Sequence, residues 1–319
     1  MNKLLSLLIA SLLLSSCVAL VESRVNMHRN KALLESDYKG VIEEKVEYAK
    51  DLHYDLFLPQ DLHSPKAQNL ILYVHGGSWN SGSRDEGENW CRHYASLGYT
   101  AASMDYSLQK GGKNPSIDRM IFDMHSCIAH IAARMASWDV ELEGMALQGF
   151  SAGATLIMLY GYREAEKWEI PVNFMIQMSG PVTFDPDAWK NDVHPFVDIV
   201  LGLDGSLKGD AAFISKMSGK TVSQGMVKSG SAKEIWQAIS PVCHVTSTAP
   251  PLVMAYGETD GVVPRNHKTM LMSALDSVGA RYDYVGYPNS GHAPIYDPDC
   301  QKHFIVLIDE YCERYFDEE

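Results

Sequence analysis

The stretch ALQGFSAGATL, Ala146 to Leu156, decides how this chain is read. One serine, Ser151, stands between Gly149 and Gly153 in a G-x-S-x-G pattern, with apolar residues on both sides. The pattern alone is weak: a chain of 319 residues meets it by chance with a probability on the order of 0.1. Its setting gives it weight. GMALQ reads as a short strand and Ala152 to Glu164 as a helix, so the serine falls on the turn between them. Glycines at 149 and 153 suit a sharp turn in which neighbouring backbones come close. Such a bend lifts the hydroxyl clear of the sheet, and the helix start aims free N–H groups at its surroundings. A serine merely capping a tight strand–helix turn has the same local pattern. What the rest of the chain supplies separates the two readings.

Working outward, strands and helices alternate. Two β-like runs, Val41 to Tyr48 and Leu52 to Leu58, read as an antiparallel pair opening a sheet. NLILYVHGG is a continuous apolar run, as expected of a strand buried on both faces. YTAASMDYSL, GMALQ, VNFMIQMSG, PPLVMAYG and RYDYVGYP follow as further strands. Between them Ile117 to Trp138 carries Ile117, Met120, Ile121, Met124, Ile128, Ile131 and Met135 at helical spacing. A helix starts near Pro264 and stops before Gly279, and a last one carries Phe304, Ile308, Tyr311 and Tyr315. This rhythm predicts an α/β fold with a mostly parallel central sheet and helices on both faces. Residues 181–250 break it, holding no strong buried strand. They read as a helical insertion over the sheet edge that bears the site, with a mobile, exposed loop around Gly219 to Ser231. Its apolar members Trp189, Phe196, Val197, Ile199, Val200 and Leu201 either pack on the sheet or line an acyl pocket.

A serine hydroxyl is a poor nucleophile at its free pKa. It needs a base, and the base needs an orienting carboxylate. On a sheet of this kind the acid and then the histidine follow the serine, at the ends of later strands. After PPLVMAYG comes Glu258-Thr259-Asp260-Gly261, and after RYDYVGYP comes Asn289-Ser290-Gly291-His292. Asp260 and His292 thus sit past strand C-termini, the edge where open α/β sheets bind ligands. Glu258, Asp185, Asp187 and His303 are the competitors. The chemistry also needs donors for a developing oxyanion. His75-Gly76-Gly77-Ser78-Trp79 ends the strand NLILYV, and paired glycines let a backbone N–H approach a ligand without obstruction. The donors expected are the N–H groups of Gly76, Gly77, Ser78 and Ala152. Trp79 and Phe150 are candidates for the substrate pocket, and His75 is read as structural.

The chain opens with Lys3 and the apolar run Leu4 to Leu14, the length of a signal-peptide core and short for a bilayer span. It ends in Leu14-Ser15-Ser16-Cys17, which resembles the bacterial lipobox. Residues 1–16 are therefore expected to be a lipoprotein signal peptide, Cys17 the lipidated residue and residues 17–40 a tether ahead of a domain spanning 41–319. The expected location is the bacterial cell envelope, lipid-anchored. Val18 after the cysteine resembles outer-membrane retention in a Gram-negative host. An ordinary secretory signal is the plainer alternative. A net charge of −13 repels phosphate backbones and argues against nucleic acid as a partner. Of the six cysteines, Cys300 and Cys312 fall in the last predicted helix. Twelve residues of helix put them about 18 Å apart, beyond the roughly 7 Å reach of a disulfide. No CxxC or HExxH spacing appears, so neither a metal nor a cofactor is expected.

Taken together, DLFLP, HGGSW, MDYSL, GFSAG, GETDGVVP and SGHAP resemble the α/β-hydrolase superfamily. More narrowly the chain is similar to the esterase/lipase group with an HGG-x-W oxyanion motif, related to hormone-sensitive-lipase-like esterases and kynurenine formamidases. The resemblance implies a Ser151–His292–Asp260 triad and a cofactor-free acyl-enzyme mechanism on carboxylic esters. Small or carbohydrate-linked acyl esters are the expected substrates. Two positions depart from many relatives: Ser107 in DYSL stands where an arginine is common, and Phe150 where an acid is common. An amide hydrolase on the same fold and a non-catalytic envelope binding protein are the rival readings.

Overall fold

The computed structural model describes residues 34, 38–164, 170–190, 201–294 and 296–316. The strands are β1 (Ile42–Ala49), β2 (Leu52–Phe57), β3 (Asn69–Val74), β4 (Thr100–Met104), β5 (Gly144–Phe150), β6 (Val172–Met178), β7 (Leu252–Gly257) and β8 (Tyr282–Tyr287). They form one sheet in the order β1-β2-β4-β3-β5-β6-β7-β8. The β1–β2 and β2–β4 pairs are antiparallel and every other pair is parallel. The expected opening pair is present, turned by Lys50 and Asp51, the latter with φ 62°. Its outer member, β1, is irregular: its register against β2 shifts twice, and Lys45 takes φ 55°.

Strand alternation sorts the apolar side chains into two cores. In β3, Leu70, Leu72 and Val74 join one core while Ile71 and Tyr73 join the other. The first core is closed by α2 (Ile117–Ala136), α3 (Ala152–Leu159) and α7 (Asn266–Val278). The second is closed by α1 (Glu88–Ser96) and α8 (Pro298–Phe316). All seven apolar residues predicted for the α2 stripe are buried, and Ser116 Oγ caps the helix by accepting from the Arg119 N–H at 3.2 Å. Helix α7 stops at Gly279, in the left-handed region at φ 67°, as its sequence predicts. The helix behind Ser151 is shorter than expected: after Leu159 it widens into a π turn, Tyr160–Glu164. Cys300 and Cys312 share α8, and all five described cysteines are free thiols.

Within residues 181–250 the described part is helical: a 3-10 turn (Pro186–Trp189), α4 (Leu207–Ser218), α5 (Gln224–Ser229) and α6 (Lys233–Gln237). Its two ends meet, the Val242 N–H donating to Val182 O at 3.1 Å, and its middle is held from outside by Gln109 Nε2, which donates to Lys216 O at 3.4 Å. The run from Gly219 to Ser231 is exposed in the main, but it is not the structureless loop expected. Its Ser/Gly composition serves capping instead. Ser223 Oγ accepts from the Met226 N–H to start α5, and Gly230 at φ 81° ends it.

Leu34 is 3% exposed in the second core. The Tyr38 ring lies 6.4 Å from Phe57, and its hydroxyl donates to Val41 O and Leu58 O. These residues of the expected tether are therefore packed on the domain. The signal segment, Cys17 and the rest of the tether before Leu34 lie outside the described residues, as do Phe196, Val197, Ile199 and Val200.

Candidate active site

Ser151 terminates β5 and opens α3 at φ 53° and ψ −117°, a conformation rarely adopted outside glycine. Packing holds it there. The Ser151 N–H donates to Met178 O at 2.8 Å, which ties the turn to the end of β6. A Cβ on Gly153 would collide with the Val74 and His75 carbonyl oxygens, and one on Gly149 would stand 2.6 Å from Ala154 N. Both glycines are thus demanded by close approach, as their spacing suggested. With the backbone so fixed, the hydroxyl stands at the sheet's C-terminal edge.

Asp260 and His292 arrive there from the ends of β7 and β8. His292 Nδ1 lies 2.9 Å from Asp260 Oδ2, and His292 Nε2 lies 2.8 Å from Ser151 Oγ. A ring nitrogen facing a carboxylate carries the hydrogen, so Nδ1–H donates to Asp260 and Nε2 accepts from the serine hydroxyl. Asp260 is 4% exposed, and its other oxygen accepts from the N–H groups of Val262 (2.8 Å) and Val263 (3.0 Å). Glu258, two residues earlier, is drawn off. It accepts from Lys268 Nζ and from the Tyr284 hydroxyl, and these bonds lower its pKa. Asp185 accepts from the Asp187 N–H and caps the 3-10 turn, and His303 lies within α8. None of the sequence competitors joins the serine.

Residues that the sequence reading missed hold the histidine loop. The Asp297 carboxylate accepts from Asn289 N, Asn289 Nδ2 and Ser290 Oγ, and Ser290 Oγ accepts from Tyr296 N. Burial opposes ionisation of Asp297, yet these hydrogen bonds prevail and its pKa is lowered. Asp297 belongs to a turn beyond the histidine, and only the folded loop brings it back under Asn289.

The turn after β3 is the most contorted segment at this edge. Gly77, Ser78 and Trp79 take φ 101°, 51° and 60° in succession. Gly77 O accepts from the N–H groups of Asn80 and Ser81. Among the described residues no hydrogen-bond acceptor takes the N–H of Gly77, Ser78 or Ala152. The Ala152 N–H belongs to the first turn of α3, where the helix dipole favours negative charge. Gly76 stands at the wall of this corner, where a Cβ would meet the Phe150 ring at 2.9 Å and Ser151 Cβ at 3.3 Å.

Trp79 is 2% exposed and packs on Phe184 with ring centroids 5.5 Å apart, which supports the contorted turn from within the core. Phe150 is half-buried, with its ring 5.2 Å from that of His292. His75 is structural, as expected. Its ring stacks on Tyr106 at 4.3 Å, its Nδ1 bonds Gly76 O at 2.8 Å, and burial lowers its pKa to about 4. Trp189 is buried too, its Nε1–H donating to Thr183 O at 2.9 Å, which removes it from the acyl-pocket candidates.

The geometry therefore offers an oriented hydroxyl, a base with a carboxylate behind it, and unengaged backbone donors beside them. The BD-FAE family model matches residues 54–275, well over half of the chain. The chain belongs to the BD-FAE family. This places it in the α/β-hydrolase superfamily, as the quoted motifs implied. Among curated proteins it is 26% identical over 247 residues to Esterase LipC of Mycobacterium tuberculosis, covering 75% of this chain and 56% of that one. The chain thus spans about half the length of the curated relatives it matches. Among solved structures, a thermophilic esterase of Thermogutta terrifontis superposes with TM-score 0.65 at 18% identity, covering 86% of this chain and 92% of that one. A truncated carbohydrate esterase from gut microbiota superposes with TM-score 0.62 at 16% identity, covering 89% and 99%. At such identities these two likenesses speak for the fold.

Proposed function

We propose that the protein is a serine-dependent carboxylic ester hydrolase working through an acyl-enzyme. The observation that carries this reading is the unbroken chain Ser151 Oγ–His292 Nε2 and His292 Nδ1–Asp260 Oδ2 beside the N–H groups of Gly77, Ser78 and Ala152. Ser151 Oγ attacks the ester carbonyl as His292 takes its proton, and Asp260 stabilises the imidazolium that forms. The tetrahedral oxyanion is received by the three backbone donors. His292 then protonates the departing alkoxide. Water activated by the same ring cleaves the acyl-enzyme, returning Ser151 and releasing the acid. None of these steps draws on a cofactor.

The substrates we propose are small or carbohydrate-linked acyl esters. The similarity to an esterase and to a carbohydrate esterase supports this choice. The proposed setting is the cell envelope, with lipid on Cys17 as the anchor, supported by the Leu14-Ser15-Ser16-Cys17 pattern. A fluorophosphonate probe should label Ser151, and a panel of p-nitrophenyl, acetylated-sugar and feruloylated-sugar esters should reveal turnover of one class. Labelling with turnover of amides alone would replace the ester reading with the amide one. No labelling would favour the binding-protein reading. Cys17→Ser should move the protein out of the membrane fraction, and an unmodified Cys17 peptide from membrane-bound protein would end the anchor proposal.

A further inference from the structure

The first turn of α7 and the base of the insertion meet behind the acid. His267 is fully buried at the start of α7, and its Nδ1 accepts from the Val182 N–H at 3.0 Å. The ring hydrogen therefore sits on Nε2, which has no hydrogen-bond partner among the described residues. Burial lowers the pKa of His267 to about 3, so the ring is neutral at working pH and keeps its acceptor, while the Asp260 charge pulls the pKa the other way. The ring meets Trp189 edge-to-face with centroids 4.9 Å apart. Trp189 is itself fixed by its bond to Thr183 O and by Phe213 of α4 at 5.9 Å. Next to His267, Asn266 Nδ2 donates to Ala188 O at 3.0 Å. Three ties therefore run from one helical turn to the segment 182–189.

On the other side the same turn is continuous with the loop of the acid. The Val262 and Val263 N–H groups hold Asp260 Oδ1, and the His267 N–H donates back to Pro264 O. Asp260 and His267 are thus joined through one short hydrogen-bonded loop, along which a shift of the insertion base would reach the carboxylate.

We infer that His267 is a positioning residue: it fastens the base of the insertion to the loop that presents Asp260, and so sets how that carboxylate meets His292. The insertion then has a part in the chemistry besides covering the sheet edge. This rests on the triad reading proposed above. A purely structural histidine would affect melting alone. A positioning histidine affects the carboxylate–imidazole pair as well.

The test compares His267→Leu, which removes the acceptor, with His267→Asn, whose Oδ1 stands near the position of Nδ1. Asn266→Ala cuts a neighbouring tie at an exposed residue and serves if His267→Leu does not fold. The readouts are kcat, KM, the pH profile of kcat/KM and the low-field proton resonance of the His292 Nδ1–H. His267→Leu should lower kcat about tenfold with KM held within about twofold, since small misplacements at a reacting centre are costly. It should also move the low-field resonance of the His292 Nδ1–H, because the Nδ1–Asp260 Oδ2 hydrogen bond is loosened. His267→Asn should recover most of both effects, and Asn266→Ala should show them in smaller measure. Folded His267→Leu and Asn266→Ala proteins with wild-type kcat, profile and resonance would overturn the inference. A wild-type protein without ester turnover, whose resonance still shifts in His267→Leu, would refute the esterase reading and leave the brace standing.

Discussion

Left-handed backbone is distributed differently in two regions of this molecule. At the C-terminal edge of the sheet, Ser78, Trp79, Ser151 and Ser179 take φ of 51°, 60°, 53° and 53°, each a residue with a side chain. Among the described residues of the insertion the left-handed positions are Gly202, Gly205, Gly219 and Gly230, and at Gly202, Gly205 and Gly230 an added Cβ would meet nothing. A left-handed non-glycine residue costs roughly 1–2 kcal/mol. The edge bears that cost several times over, while the insertion avoids it. Strain is thus gathered where a hydroxyl and a row of N–H groups must be aimed, and surrounding packing holds it there. The insertion obeys ordinary capping rules and has no such demand on its own backbone.

The comparison is tested most severely at the edge. Ser151→Ala should lower ester turnover by on the order of 10⁴-fold or more, with His292→Ala close behind and Asp260→Asn somewhat less affected. Glu258→Gln, a change to a carboxylate bonded to Lys268 and Tyr284, should leave turnover within about twofold of wild type. Near-normal activity in Asp260→Asn together with loss in Glu258→Gln would reverse the assignment of the acid.

Acid stability comes next in size. His75 and His267 are held neutral, with pKa values lowered by burial to about 4 and about 3. The unfolded chain binds their protons first, at its ordinary pKa near 6.5. Their contribution is therefore complete above about pH 6.5 and is lost as the pH falls from there towards 3–4. Urea midpoints followed from pH 7 to pH 4 should fall accordingly, and a flat profile would show that neither ring is so held.

Smaller effects separate the two regions directly. Gly153→Ala would drive a methyl group into the carbonyls of Val74 and His75, at a cost of about 3 kcal/mol or more. Gly230→Ala meets open space and bears only the left-handed penalty, about 1 kcal/mol. Thermal melts of the pair decide whether close packing or backbone conformation governs each glycine. Equal shifts would erase the contrast.

Much of the site was legible because each member of the triad stands beside a strand end. Ser151, Asp260 and His292 are all flanked by apolar runs that fold into β5, β7 and β8, and parallel topology brings those ends to one edge. The choice of Asp260 over Glu258 followed from no local signal, since the partners of Glu258 lie on α7 and β8. Trp79 and Trp189 were rightly marked as large apolar residues, but which side of a layer they face depends on Phe184, Phe213 and His267. In Gly219 to Ser231 composition suggested a loop, whereas the same serine and glycine at fixed offsets form the caps of a short helix.

The irregular first strand has a consequence for how copies of the protein meet. An outer strand offers unpaired backbone groups to any extended segment that approaches, and a straight one invites edge-to-edge growth. Here the ladder is interrupted twice within Ile42–Ala49, Lys45 is twisted to φ 55°, and the exposed Glu44 and Glu47 bring like charges to any second copy. A neighbour's strand finds no unbroken register to extend. The same kinks that spoil β1 as a strand keep the sheet from growing beyond its own chain along that edge.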